Sequence, residues 1–210
     1  SKTIGQNPPN GAVIIYHLSN KPGKDTNAKL EILFEDKVIR TINSKPGESA
    51  ITFDGGVYSS PTISLKKGMN RFLWNYRIDD ITMVKDVSFY GSYSGYRMGP
   101  GNYTVRFSLG KESMEQPLTV KRDPRIEVKD RDNRAHQQMM SDLYMQIHDL
   151  HDSISKARNI RTQIKRMNIE IDGMNDMEEL LQTGKEAIDA LNQWEGNVVQ
   201  TKMETFQDVV

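Results

Sequence analysis

The chain has 210 residues, 28 Lys and Arg balanced by 28 Asp and Glu, and no cysteine. Its length suits one large domain or two small ones, and without cysteine it has no disulfide, thiolate metal site or cysteine nucleophile. Residues 1–121 carry 16 basic and 11 acidic side chains and residues 122–210 carry 12 and 17, yet neither part has the dense basic stripe that nucleic acid requires.

The chain opens on "SKTIGQNPPNG", with neither an initiator Met nor a signal sequence, and is read as a processed piece of a longer protein. From there to about Lys121 the pattern has period two. "GAVIIYHL" (11–18), "AKLEILFE" (28–35), "KVIRTI" (37–42), "NRFLWNYRI" (70–78), "NYTVRFSL" (102–109) and "EQPLTVKR" (115–122) are predicted strands, rich in β-branched and aromatic residues. Glu35-Asp36-Lys37 turns one hairpin and Gly110-Lys111 a second, and short strands punctuated in this way predict an antiparallel sandwich. Phe72, Trp74 and Tyr76 share one face of their strand. Trp74 is expected in the core, because one indole buries about 150–250 Å². In "FYGSYSGYRMGPGNYTV" (89–105), Tyr103 is expected to point inward from the strand that follows the Gly-Pro-Gly turn. Tyr90, Tyr93 and Tyr96 recur every third residue among Gly and Ser, either as packing at the sandwich edge or as a platform for sugar rings.

After "KRDPRIEVKDRDNRA" the period becomes helical. Met140, Leu143, Ile147, Leu150, Ile154, Ala157, Ile164 and Ile171 form a stripe at spacings of three and four. "IDGMND" (171–176) supplies a stop and restart, and a second helix carries Leu180, Leu181, Ile188, Leu191 and Trp194 on its apolar side. Two antiparallel helices with a short connection make a hairpin. No apolar run approaches the roughly 20 residues of a membrane span.

Two groups of residues invite chemistry. "HDLHD" (148–152) sets His148 against His151 and Asp152 at i, i+3 and i+4, on one helix face. Two ligands from one helix do not complete a four-coordinate site, and the second helix offers no His pair. A solvated flank is therefore expected, with no metal and no cofactor. Asp54, Asp79, Asp80 and Asp86 are the carboxylates from which a glycosidic pair would be drawn, but such a pair needs a cleft and a set separation. They are expected as turn and loop aspartates. The chain has no nucleophile elbow, phosphate-cradling loop, zinc-peptidase helix motif or calcium loop, so no catalytic residue is assigned and an enzyme is not expected.

The succession "NPPNGAVIIYHL", "LEILFEDKVIRTI", "GMNRFLWNYRI", "GPGNYTVRFSL" and "QPLTVKRDPRI" resembles the C-terminal region of bacterial sortilin-like, sialidase-type β-propeller proteins, often labelled glycosyl hydrolases. The resemblance covers nearly the whole chain in order. It implies an α+β fold in two parts: an immunoglobulin-like β-sandwich over residues 1–122, similar to the Ig-like domain of flagellar hook-capping proteins, and a long antiparallel helical hairpin over 123–210. The family's presumed chemistry belongs to the propeller, so no catalytic residue carries over. "IDDITMVKDVSFYGSYSGYRM" stands where many such modules have a tight turn. The implied role is a non-catalytic module of an exported protein, periplasmic or at the cell surface. It would brace the propeller or mediate assembly, with self-association through the helices. The alternative is a carbohydrate-binding module that stacks a glycan on Tyr90, Tyr93 and Tyr96.

Overall fold

Alternating apolar and polar residues produce strands wherever a turn residue frees the chain to reverse. The computed structural model describes residues 5, 7–23, 25–47, 50–51, 57–85, 87 and 92–199. It is an α+β fold. The strands are β1 (Ala12–Leu18), β2 (Ala28–Phe34), β3 (Lys37–Asn43), β4 (Ala50–Ile51), β5 (Val57–Tyr58), β6 (Gly68–Trp74), β7 (Gly101–Leu109) and β8 (Glu112–Val120). Two helices follow, α1 (Asp130–Ile171) and α2 (Glu178–Val198). β1 and β6 form a two-stranded sheet, β3-β2-β7-β8 a four-stranded one, and β4 pairs with β5; every pairing is antiparallel. The predicted strands sit within two residues of their expected starts, except that β8 begins three residues earlier. β4 and β5, two residues each, lie in a stretch with no alternation to read.

Turn chemistry sets the register. Glu35 and Asp36 take positive φ (48° and 61°) between β2 and β3, and Gly110 (φ 60°) turns β7 into β8, the backbone twist that tight hairpins require. Gly173 (φ 78°) and Asp176 (φ 62°) lie in the stretch between α1 and α2, as the "IDGMND" signal predicts.

The chain forms two compact units, each assembled from three separate stretches. The first comprises residues 1–49, 59–80 and 94–144. Its core draws on both larger sheets: Leu30, Ile32, Ile42 and Trp74 are fully buried, joined by Ile63, Tyr103 and Val105. Trp74 lies within edge-on contact of Tyr76 and Tyr103, with ring centroids 5.5 and 5.2 Å away, and its indole N–H donates to the Arg77 carbonyl at 2.8 Å. Trp74 and Tyr103 thus take the inward positions expected of them. Past Tyr76 the chain runs against its own return: Ile78 N–H donates to Tyr96 O and Met98 N–H to Tyr76 O. A Cβ on Gly95 would meet the Asp79 carbonyl at 2.2 Å, so only glycine fits that crossing.

The second unit comprises residues 50–58, 81–93 and 145–210. Val84, Ile154 and Val199 form its buried cluster, with Val87 packed against them. The helices meet through charge as well as apolar contact. Glu195, 5% exposed, accepts from Arg158 at 2.7 Å and from Arg161 at 2.6 Å, and Arg161 also donates to Asn192. The pairs 158–195 and 161–192 run in opposite senses along the two helices.

Candidate interaction site along β1

Within the first unit a groove of about 850 Å³ opens between the two larger sheets. β1 lines one side and β7 and β8 the other, with Tyr16, Leu30, Val105, Phe107, Leu109 and Leu118 supplying apolar surface. Tyr16 stacks on Phe107 (centroids 4.8 Å, planes 27° apart) and its hydroxyl donates to Ser64 O at 2.6 Å. That hydrogen bond fixes the ring across the groove. Burial raises the Tyr16 pKa, the hydrogen bond to Ser64 working the other way, so the phenol stays neutral near neutral pH.

Among the described residues β1 is hydrogen-bonded on one edge only, to β6, and β8 on one edge only, to β7. The two edges differ in protection. β8 carries Glu112 and Glu115, and Pro117 has no N–H to offer. Charges and proline are how a sheet edge resists foreign strands. β1 reads Ala-Val-Ile-Ile-Tyr-His-Leu, with no Pro, Lys, Glu or Asp. On its outer face Val13 and Ile15 are exposed, and β6 adds Met69 and Leu73, placed by the pairings Val13↔Leu73 and His17↔Met69. An unguarded edge strand beside an apolar groove can accept a further extended segment by main-chain pairing.

The residues singled out in the sequence lie elsewhere. Tyr93 is 6% exposed, its ring edge-on to His151 at 6.3 Å, and its phenol pKa is raised by burial. Tyr96 is half-buried and edge-on to Tyr144 at 5.9 Å. Tyr90 lies outside the described residues.

The solvated reading of "HDLHD" needs correction. His151 is 7% exposed, and its Nδ1 lies 2.6 Å from the Thr82 carbonyl oxygen. A carbonyl only accepts, so Nδ1 carries the proton. His148 Nδ1 lies 2.8 Å from Thr82 Oγ1, and its Nε2 is 3.8 Å from Asp152. Two histidines one turn apart thus clasp a single threonine. The segment carrying Thr82 covers a flank that helical periodicity leaves to solvent. Among the described residues no group of three or more His, Asp or Glu is placed to hold a metal.

Asp79 and Asp80 are held in a network of hydrogen bonds with Arg40 and Thr41. Arg40, 7% exposed, donates to Asp80 at 2.8 Å and to Ile78 O at 2.9 Å, and Thr41 N–H donates to Asp79. Burial raises the Asp79 pKa, although Thr41 and Arg40 pull the other way. Asp54 and Asp86 lie outside the described residues. Nothing in the alternation around Arg40 announces its buried role.

Comparison with protein-family models, with curated proteins and with solved structures finds no match. No helix among the described residues is long and apolar enough to cross a membrane.

Proposed function

We propose that the chain is a non-catalytic structural and interaction module: an immunoglobulin-like β-sandwich followed by a helical hairpin. It would form the C-terminal part of an exported bacterial sortilin-like or glycosidase-like propeller protein. The observation that carries this reading is the asymmetry between the edges of β1 and β8. One is charged and proline-blocked; the other is bare, apolar and flanked by a groove. A module that works alone has reason to guard both. On this reading an extended segment of the propeller part lies along β1, its main chain pairing with the open edge and alternate side chains entering the groove. The shared core of the two larger sheets supports the sandwich, and the resemblance in the order of motifs supports the parent.

The test is photo-crosslinking in the full-length parent protein, with the reactive residue at Ile15. Crosslinks to an extended segment upstream of Ser1, abolished when Val13→Glu is added to the same protein, are expected. A clean absence of crosslinks, together with glycan binding lost on Tyr96→Ala, overturns the reading in favour of the carbohydrate-binding alternative.

A further inference from the structure

The helices of the second unit carry an apolar surface that shares Ile164, Ile171, Leu180, Leu191 and Trp194 with the stripes read from the sequence and adds Ile160, Met167, Ala187 and Val198 to them. Arg158, Arg161 and Glu195 mark the line along which α1 and α2 meet. At about 100° per residue, Ile160, Ile164, Met167 and Ile171 fall on one flank of that line on α1. Leu180, Ala187, Leu191, Trp194 and Val198 fall on the corresponding flank of α2. Because the helices run in opposite senses, both flanks turn to the same side. Five of these residues are exposed: Ile160 50%, Met167 52%, Leu180 48%, Trp194 37% and Val198 39%. Ser153, Lys156, Thr183 and Ala190 also fall on this side, with Lys156 at its rim about 20° beyond Met167, so the strip itself is apolar and its charge sits at the edge. The opposite side carries Arg166, Lys185 and Asp189, and toward that side Arg158 and His151 are covered by the segment containing Thr82 and Lys85.

We propose that this side is a self-association surface on which a second copy of the chain packs, the two helix pairs closing into a four-helix bundle. This goes beyond the strand-pairing role of β1 and does not depend on it. The dimensions fit. α2 has 21 residues, about 31 Å of helix, and two helices about 10 Å across give a face of roughly 600 Å², close to the roughly 800 Å² that each partner of a stable complex contributes. The chemistry selects a like partner. An apolar strip whose lysine, Lys156, stands at the rim sets no like charges opposite one another along its centre under a twofold axis, and its centre offers a charged partner nothing to recognise. Facing apolar sides, with polar sides outward, are what a bundle of four helices requires.

The intact 210-residue protein tests this by light scattering and sedimentation between about 1 and 100 µM, a range chosen to bracket ordinary dimer affinities. The expected result is twice the chain mass of 24.0 kDa for the native sequence. Met167→Glu with Leu180→Glu is expected to raise the dissociation constant more than tenfold with helical circular dichroism unchanged. Thr162→Glu, on the other side, leaves the dimer intact. Since the chain has no cysteine, Met167→Cys gives a second readout independent of any folding loss in the charged variant: disulfide-linked dimer on mild oxidation, absent with Thr162→Cys. A native chain that stays at 24.0 kDa throughout, including one whose apolar side instead captures a different protein, overturns the proposal. So does a dimer that survives the double substitution, or one that both cysteine positions trap equally.

Discussion

Tyr103 shows how much one side chain can carry. It is 3% exposed, packs edge-on against Trp74, and its hydroxyl donates to Gly99 O at 2.6 Å, closing the Gly-Pro-Gly turn onto the core. Burial, with a smaller push from Tyr96, raises its pKa from 10.0 to about 12. A group whose folded pKa lies above its unfolded value stabilises fully below the unfolded value, and that contribution is lost as pH rises through the folded one. Stability is therefore expected to hold up to about pH 10 and then fall by about 3 kcal/mol through pH 12. Tyr103→Phe removes this part of the alkaline loss and, at pH 7, costs about 1 kcal/mol for the missing hydrogen bond. Urea titrations of both proteins at pH 7, 10 and 12 check it; identical alkaline slopes would contradict the assignment. Trp74→Ala is expected to cost about 3–5 kcal/mol, read as a lowered denaturation midpoint. Both residues were legible because period two around an aromatic has one inward answer. His151 was not, since helical spacing knows nothing of a segment arriving from residues 81–93.

At the scale of elements, the pairing of α1 with α2 rests on a charged contact. Burial alone raises the Glu195 pKa, but the hydrogen bonds and charges of Arg158 and Arg161 outweigh it and hold the carboxylate below its ordinary 4.5. A depressed acid pKa stabilises above the unfolded value and loses that contribution as pH falls through the folded one. Acid is thus expected to loosen the helix pair below about pH 4.5, the ordinary glutamate value. Glu195→Ala leaves two guanidinium groups facing each other and is expected to cost about 3–5 kcal/mol. Thermal melts followed by helical circular dichroism at pH 7 and pH 3 test both statements, and a variant that melts like the native chain at pH 7 refutes them. The strands, the hairpin turns and the restart between the helices were legible because each has a local cause: Glu35-Asp36, Gly110 and Gly173 act within a few residues of themselves. Part of the helical stripe misled. Leu150 is 38% exposed, because α2 ends at Val198 and Val199 packs on Ile154, one turn further along α1. The groove was not legible at all, since it depends on which strands become neighbours across the fold.

For the whole molecule the decisive fact is how the chain is threaded. α1 begins in the first unit and ends in the second, and each unit is drawn from three stretches. Residues 123–210 alone retain both helices but lack the segment whose Thr82 meets His148 and His151 and whose Val84 packs on Ile154 and Val199. Expressed by themselves they are expected to be helical but to melt at least about 10 °C below the helices of the intact chain, as losing roughly 2 kcal/mol from a small domain implies. Equal melting of the two would show that the segment contributes nothing. A reading from composition and period divides the chain where its texture changes, at about residue 122. Texture reports local conformation, and a segment such as 81–93, with no period of its own, leaves no mark of where it packs.

The same threading governs time. Val84, Ile154 and Val199 make one cluster, yet Val199 leaves the ribosome 115 residues after Val84, an interval of about 6–23 s at ordinary rates of synthesis. Through that interval Val84 is already outside the ribosome while the cluster it belongs to lacks Val199. Translation slowed between residues 84 and 199 would lengthen the time for which Val84 waits for its partner.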